Sequence, residues 1–215
     1  GSLLTPGLIP RNTVPESTWF GLGELDGSRT PRLEEVRELM SAVGKVDLTE
    51  NIEGAKWTKL INSSMILAPF AILGLNAFGA TKIAEVRDFC SILAAESLKV
   101  GIAAGYRIEA IFGRASDEFS GSEEEIIEKL LYAVLNDLGK GAEAAHGAAL
   151  QDLLKGRRTE VDFLNGQVSR TGLEVGIATP ANDAIVEVCH RIERGELELD
   201  RSNIDVAKAI WEARA

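Results

Sequence analysis

Lys59 stands in the run Trp57-Thr58-Lys59-Leu60-Ile61-Asn62-Ser63, which is otherwise apolar on the helical period, with Ser63 one turn further along the same face. An ammonium there is either a surface lysine snorkelling from the start of a helix or a partly desolvated proton donor. Far along the chain, Asp152, Glu160 and Asp162 crowd around Lys155, Arg157 and Arg158. The spacing of Val161, Leu164 and Val168 turns them inward and leaves Glu160 at a helix N-terminus, where the dipole favours an ionised carboxylate. Alone, this run reads as a solvated charged turn before a helix. Joined to the lysine, it is the strongest acid–base constellation in the sequence.

Two other constellations are weaker. Gly21-Leu22-Gly23 with Gly27 follows a strand-like run, as a dinucleotide loop does, but position 26 is Asp and the next helix waits until Pro31. A phosphate loop needs its third glycine three residues after the second and a helix opening directly there, so these read as turn glycines. His146 and His190 have no Cys, Asp or Glu at a recognisable ligand spacing, and no metal site is expected. His146 lies in the small-residue segment 141–149, which could line a pocket or leave it solvated. Cys90 and Cys189 sit inside helical, partly apolar patterns and read as buried reduced thiols.

These residues need a scaffold, and 215 residues with 45% hydrophobic content are enough for one substantial core. The net charge of −10 gives nucleic-acid phosphates little to bind. The longest apolar run, residues 65–74, is too short for a membrane span and reads as a buried helix. The opening Gly1-Ser2 resembles the scar of a cleaved tag, so the natural start is expected elsewhere, and the cytoplasm is the default location.

Up to about residue 50 the pattern alternates. Residues 18–22 are strand-like, Thr30-Pro31 caps a helix carrying Leu33, Val36, Leu39, Met40 and Val43 up to Gly44, and residues 45–49 form a short half-buried strand. This is how a mixed α/β domain ends. Beyond residue 50 helical periods take over: residues 55–75, apolar nearly all round, then 82–105, and 123–138 behind a Ser122/Glu125 capping box. Residues 159–172, 180–194 behind Thr179, and 203–214 behind Ser202 complete the set. The fold class is mainly α, with a helical domain over 51–215 preceded by an α/β remnant over 1–50.

The run from Gln151-Asp152 through Thr159-Glu160-Val-Asp162 to Asn165-Gly166, followed by Thr179-Pro180-Ala-Asn182, closely resembles the C-terminal signature of the ketopantoate reductase (2-dehydropantoate 2-reductase) family. Trp57-x-Lys59-Leu60 is similar to that family's catalytic-lysine helix, and residues 20–27 to the end of its nucleotide-binding domain. The resemblance implies a 6-phosphogluconate-dehydrogenase-like helical domain after a Rossmann remnant. It also implies NADPH-dependent reduction of a 2-oxoacid in pantothenate biosynthesis, with the Gly-rich cofactor loop upstream of this fragment, which alone should be inactive. Lys59 would be the general acid, Glu160 a cofactor contact, and Ser63, Asn62 and Asp152 substrate contacts.

The sequence departs from that pattern where Ser63 and Leu67 replace asparagines and Ala148 replaces a serine, which points toward a different 2-oxoacid. The alternative is a non-catalytic helical dimerisation or interaction module, with homodimerisation through an open sheet edge or exposed helix faces.

Overall fold

The computed structural model describes residues 6–8, 16, 18–109, 111–113, 121–122, 124–130 and 146–215. Strand β1 (Trp19–Leu22) pairs in parallel with β2 (Lys45–Leu48), Trp19 opposite Lys45 and Leu22 opposite Leu48. Helix α1 (Pro31–Ser41) connects them, capped as its sequence requires: Leu33 N–H donates to Thr30 Oγ1 at 3.1 Å. Its burial departs from the expectation. Leu33 alone of the five apolar positions is buried, while Val36, Leu39 and Val43 are 39%, 68% and 49% exposed. The described sheet has two strands, too narrow to cover an apolar stripe that wide.

Helices make up most of the rest: α2 (Ile52–Ile72), the short α3 (Ala77–Ala80), α4 (Ala84–Ala103), α5 (Ala148–Leu154), α6 (Asn165–Val175), α7 (Pro180–Glu193) and α8 (Asn203–Glu212). The Ser122/Glu125 capping box forms in both directions, at 2.8 and 3.3 Å, ahead of helical residues 124–130. Residues 131–138 of the expected helix lie outside the described residues.

The nearly all-apolar α2 is central, as its composition demands, and packs against α4, α5 and α7. Ile61, Met65, Phe89, Leu93, Leu98 and Ile185 fill the space between these helices. Cys90 and Cys189 lie free in this core, where burial pushes both thiols up in pKa and keeps them inert. Among the described residues no helix is long and apolar enough to cross a membrane.

Close approach of α2 and α4 depends on Gly101. A Cβ there would lie 2.0 Å from Trp57 Nε1, whose N–H donates to the Ser97 carbonyl at 3.0 Å. Gly101→Ala therefore both overpacks the seam and displaces a buried donor. A stability loss of about 2 kcal/mol is expected, measurable as a lower urea midpoint at unchanged m.

Polar groups fix the remaining helix ends, often from a distance. Thr179 is a good N-cap by type, but its side chain makes no capping bond. Glu96 on α4 does this instead, its carboxylate accepting from the N–H groups of Ala181 and Asn182 at 2.9 and 3.0 Å and from Asn182 Nδ2 at 2.8 Å. Ser202 likewise leaves α8 uncapped and turns to Asp200 at 2.6 Å.

The single helix expected over 159–172 is two pieces. Val161–Phe163 is one 3₁₀ turn, the backbone breaks at Leu164, and α6 runs from Asn165 to a left-handed Gly176. Val161 and Val168 are buried as the period requires. The break frees Asn165 Nδ2 to donate to the Ser64 carbonyl and to Asn182 Oδ1, both at 2.9 Å, which stitches α6 to α2 and α7.

Candidate functional site

Lys59 lies near the start of α2, and residues 106–109 and 111–113, the described parts of a strap, lie over that end of the helix. Tyr106 stacks on Trp57 at 4.7 Å between ring centroids. Asn51 Nδ2 donates to the Arg107 carbonyl, and Glu109 N–H donates to Thr58 Oγ1 at 3.0 Å. Gly54 admits this approach, since a Cβ there would meet the Arg107 carbonyl oxygen at 2.1 Å. The strap thereby carries Phe112, at a positive φ of 60°, to a place where its ring centroid lies 5.9 Å from Lys59 Nζ.

The ammonium donates to Ser63 Oγ at 2.7 Å, as expected one turn along the helix. Lys59 is open to solvent on one side, yet burial of its surroundings lowers its pKa from the ordinary 10.5, and the negative charge of Glu160 opposes that fall. Two residues far apart in sequence thus come within electrostatic reach. The result is an ammonium easier to deprotonate than that of a surface lysine, within electrostatic reach of a carboxylate that helps keep it charged.

Glu160 does not cap a long helix. It precedes the 3₁₀ turn and is separated from α6 by the break at Leu164, so the expected helix dipole is replaced by anchoring of the turn. The carboxylate is exposed and makes no hydrogen bond among the described residues. Ser63 is nearly covered, 4% exposed. Asn62 is equally covered, and its Nδ2 has no hydrogen-bond partner. Asp152 is half-buried on α5, and the hydrogen bonds it receives, from the N–H groups of Lys155 and Arg157, go to its backbone carbonyl. The structure thus joins Lys59, Ser63 and Glu160, and Phe112 is a member that sequence periodicity could not have found.

The glycines of residues 21–27 have a structural explanation. A Cβ at Gly23 would lie 2.4 Å from the Thr49 carbonyl oxygen, and one at Gly27, with φ of 75°, 2.7 Å from that of Glu50. They let two backbone segments touch, and the described residues offer a dinucleotide no glycine cradle for its phosphates. What fits a nicotinamide dinucleotide here is narrower: an exposed carboxylate, Glu160, able to accept from sugar hydroxyls. A hollow of about 670 Å³ beside the strand pair, lined among others by Trp19, Arg29, Lys45, Asp47 and Glu109, does not include Lys59 in its walls.

Comparison with known proteins identifies the family and the fold. Residues 51–193 match the family model described as the ketopantoate reductase PanE/ApbA C terminal. A 2-dehydropantoate 2-reductase of Pyrococcus horikoshii is 30% identical over 162 residues, covering 75% of this chain and 48% of the relative. Among solved structures, a PanE/ApbA family ketopantoate reductase from Ralstonia eutropha superposes with a TM-score of 0.61 at 24% identity, covering 78% of this chain and 50% of that one. D-mandelate dehydrogenase in complex with NADH superposes at 0.67 and 20% identity, covering 82% and 55%, a likeness of fold. The chain spans about half the length of the curated relatives it matches. With its helical architecture and the match across residues 51–193, the chain belongs to the ketopantoate reductase family, whose C-terminal domain it contains.

Proposed function

We propose that this chain supplies the acid–base half of an NADPH-dependent reduction of a 2-oxoacid, ketopantoate to pantoate or a related pair. The observation that carries the reading is the Lys59 ammonium, lowered in pKa by burial, bonded to Ser63 Oγ and facing the charge of Glu160. The dihydronicotinamide, when bound, supplies a hydride to the keto carbon. As the carbonyl π pair moves onto oxygen, Lys59 Nζ gives that oxygen a proton, leaving a neutral amine that recovers its proton from solvent. Ser63 orients the ammonium and meets the substrate oxygen, Asn62 and Asp152 stand behind it as further substrate contacts, and Glu160 holds a hydroxyl of the dinucleotide. Leu67 and Ala148 withhold polar contacts from the substrate, which favours a 2-oxoacid with a less polar side chain.

The test is a panel of 2-oxoacids, ketopantoate included, offered to the full-length gene product with NADPH and with NADH. Oxidation of NADPH by at least one 2-oxoacid is expected, with NADH slower. A protein that binds NADPH yet reduces no 2-oxoacid would contradict the reading.

A second reading, a helical module that works by association, is favoured by exposed Val36, Leu39 and Val43. A Staphylococcus aureus ketopantoate reductase is described as dimeric. This reading predicts concentration-dependent dimers abolished by Leu39→Glu, with Lys59 dispensable; a monomer by sedimentation at high concentration counts against it. A cytoplasmic location is part of the enzymatic proposal.

A further inference from the structure

The turn that presents Glu160 is gripped by the end of a helix from another part of the chain. Thr159 sends two donors to one oxygen: its backbone N–H and its hydroxyl reach Glu193 Oε1 at 2.7 and 2.8 Å. Glu193 is the last residue of α7. One turn earlier, His190 Nε2 lies 2.9 Å from Asp162 Oδ1, an ion-pair contact when the imidazole is protonated. Arg158 reaches the other Asp162 oxygen at 3.1 Å, and Arg170 Nη1 donates to the Asp162 carbonyl at 2.8 Å.

Residues on both sides of Glu160 are therefore tied down. Thr159 and Val161 are 8% and 1% exposed, so Glu160 is the side chain between them left facing outward. A carboxylate accepting two bonds from a single residue is strong local anchoring, because charge-assisted bonds exceed neutral ones in strength. Its geometric consequence falls on the residue that follows. We infer that Glu193 is a positioning residue: by fixing Thr159 it sets where the Glu160 carboxylate stands relative to the Lys59 ammonium. This rests on the roles given above to Lys59 and Glu160, but the coupling itself can be measured without them.

The 215-residue chain is the sample, and the readout is the Lys59 titration followed through its Cε and Nζ resonances by NMR. Glu160→Gln removes the charge that sustains the ammonium, so the Lys59 pKa falls. Glu193→Ala lets the turn drift and moves it in the same direction by less. Glu193→Gln, whose amide oxygen can accept both Thr159 bonds, restores the wild-type titration. Adding Glu193→Ala to Glu160→Gln produces no further shift, because Glu193 acts only through Glu160. Should Glu193→Ala not fold, Thr159→Val, which removes one of the two bonds and keeps Glu193, takes its place with the same expectation.

An unmoved Lys59 in Glu193→Ala, or an equal shift in the Glu160→Gln background, overturns the inference. In the full-length protein, kcat/KM about tenfold lower in Glu193→Ala and recovered in Glu193→Gln agrees with it. If Lys59→Ala leaves turnover intact while the titrations couple as stated, the proposed function falls and the positioning stands. The reverse pattern, turnover lost in Lys59→Ala with no coupling, removes the positioning alone.

Discussion

Replacing Lys59 by alanine is expected to lower kcat of the full-length enzyme by about three orders of magnitude, with a smaller change in dinucleotide affinity. In the proposed reaction the ammonium, bonded to Ser63 and under the influence of Glu160, is the proton donor, and alanine leaves the developing alkoxide neither charge nor proton. Lys59→Arg is expected to rescue little, since a guanidinium keeps the charge but does not give up its proton in this range. The pH dependence has a definite sign. A donor must be protonated, so kcat/KM falls as pH rises through the Lys59 pKa, which burial places below the ordinary 10.5. The same shift has a stability sign: the folded chain binds fewer protons here than the unfolded one, so the position costs stability near neutral pH and the cost fades as pH rises toward 10.5. Substituting the neutral, similarly shaped Lys59→Met should raise the thermal midpoint at pH 7 while abolishing turnover, as measured by scanning calorimetry beside the assay.

Glu96→Ala should cost about 3 kcal/mol of stability. Three donors at the head of α7 lose a charged acceptor at once: two backbone N–H groups and the buried Asn182 amide. Because Asn182 also accepts from Asn165, which in turn bonds the Ser64 carbonyl, the loss reaches the joint between α2 and α6. Burial raises the Glu96 pKa above 4.5 while its bonds from Ala181 and Asn182 resist that rise. A raised carboxylate means that the folded state takes up a proton before the unfolded state as pH falls. This contribution is present below about pH 4.5 and is lost as pH rises through the folded value. Urea melts of wild type and Glu96→Gln across pH 4 to 7 should show the wild type losing ground to the variant as pH rises in that window, and parallel curves would contradict the assignment.

The different fates of these residues show what a sequence can reveal. The Lys59–Ser63 contact is a local consequence of helical period, and spacing alone anticipates it. The nearness of Glu160 to Lys59 is set by tertiary packing, which no spacing in the sequence reports, and the roles expected of the two came from resemblance to a family. Thr179 had the type and place of an N-cap, and the signal misled because Glu96, remote in sequence, supplies a charged acceptor. Val161, Leu164 and Val168 kept an unbroken period across a real break, which buried bonds of Asn165 on both sides require. Helix α5, flanked by Gly147 and Gly156, is too short for its period to stand out ahead of the charged run that follows, and its apolar face is covered by α2. The α1 stripe shows the opposite failure: period reports which residues share a face, but whether anything covers that face depends on the rest of the sheet.

The most direct test of the central claim is the pH profile of kcat/KM for the full-length enzyme and its Glu160→Gln variant, with a 2-oxoacid it reduces. The alkaline limb should report the Lys59 proton and move to lower pH when the carboxylate is neutralised, and Lys59→Ala should lack the limb altogether. An alkaline limb that stays in place in Glu160→Gln, or survives in Lys59→Ala, would show that another group donates the proton.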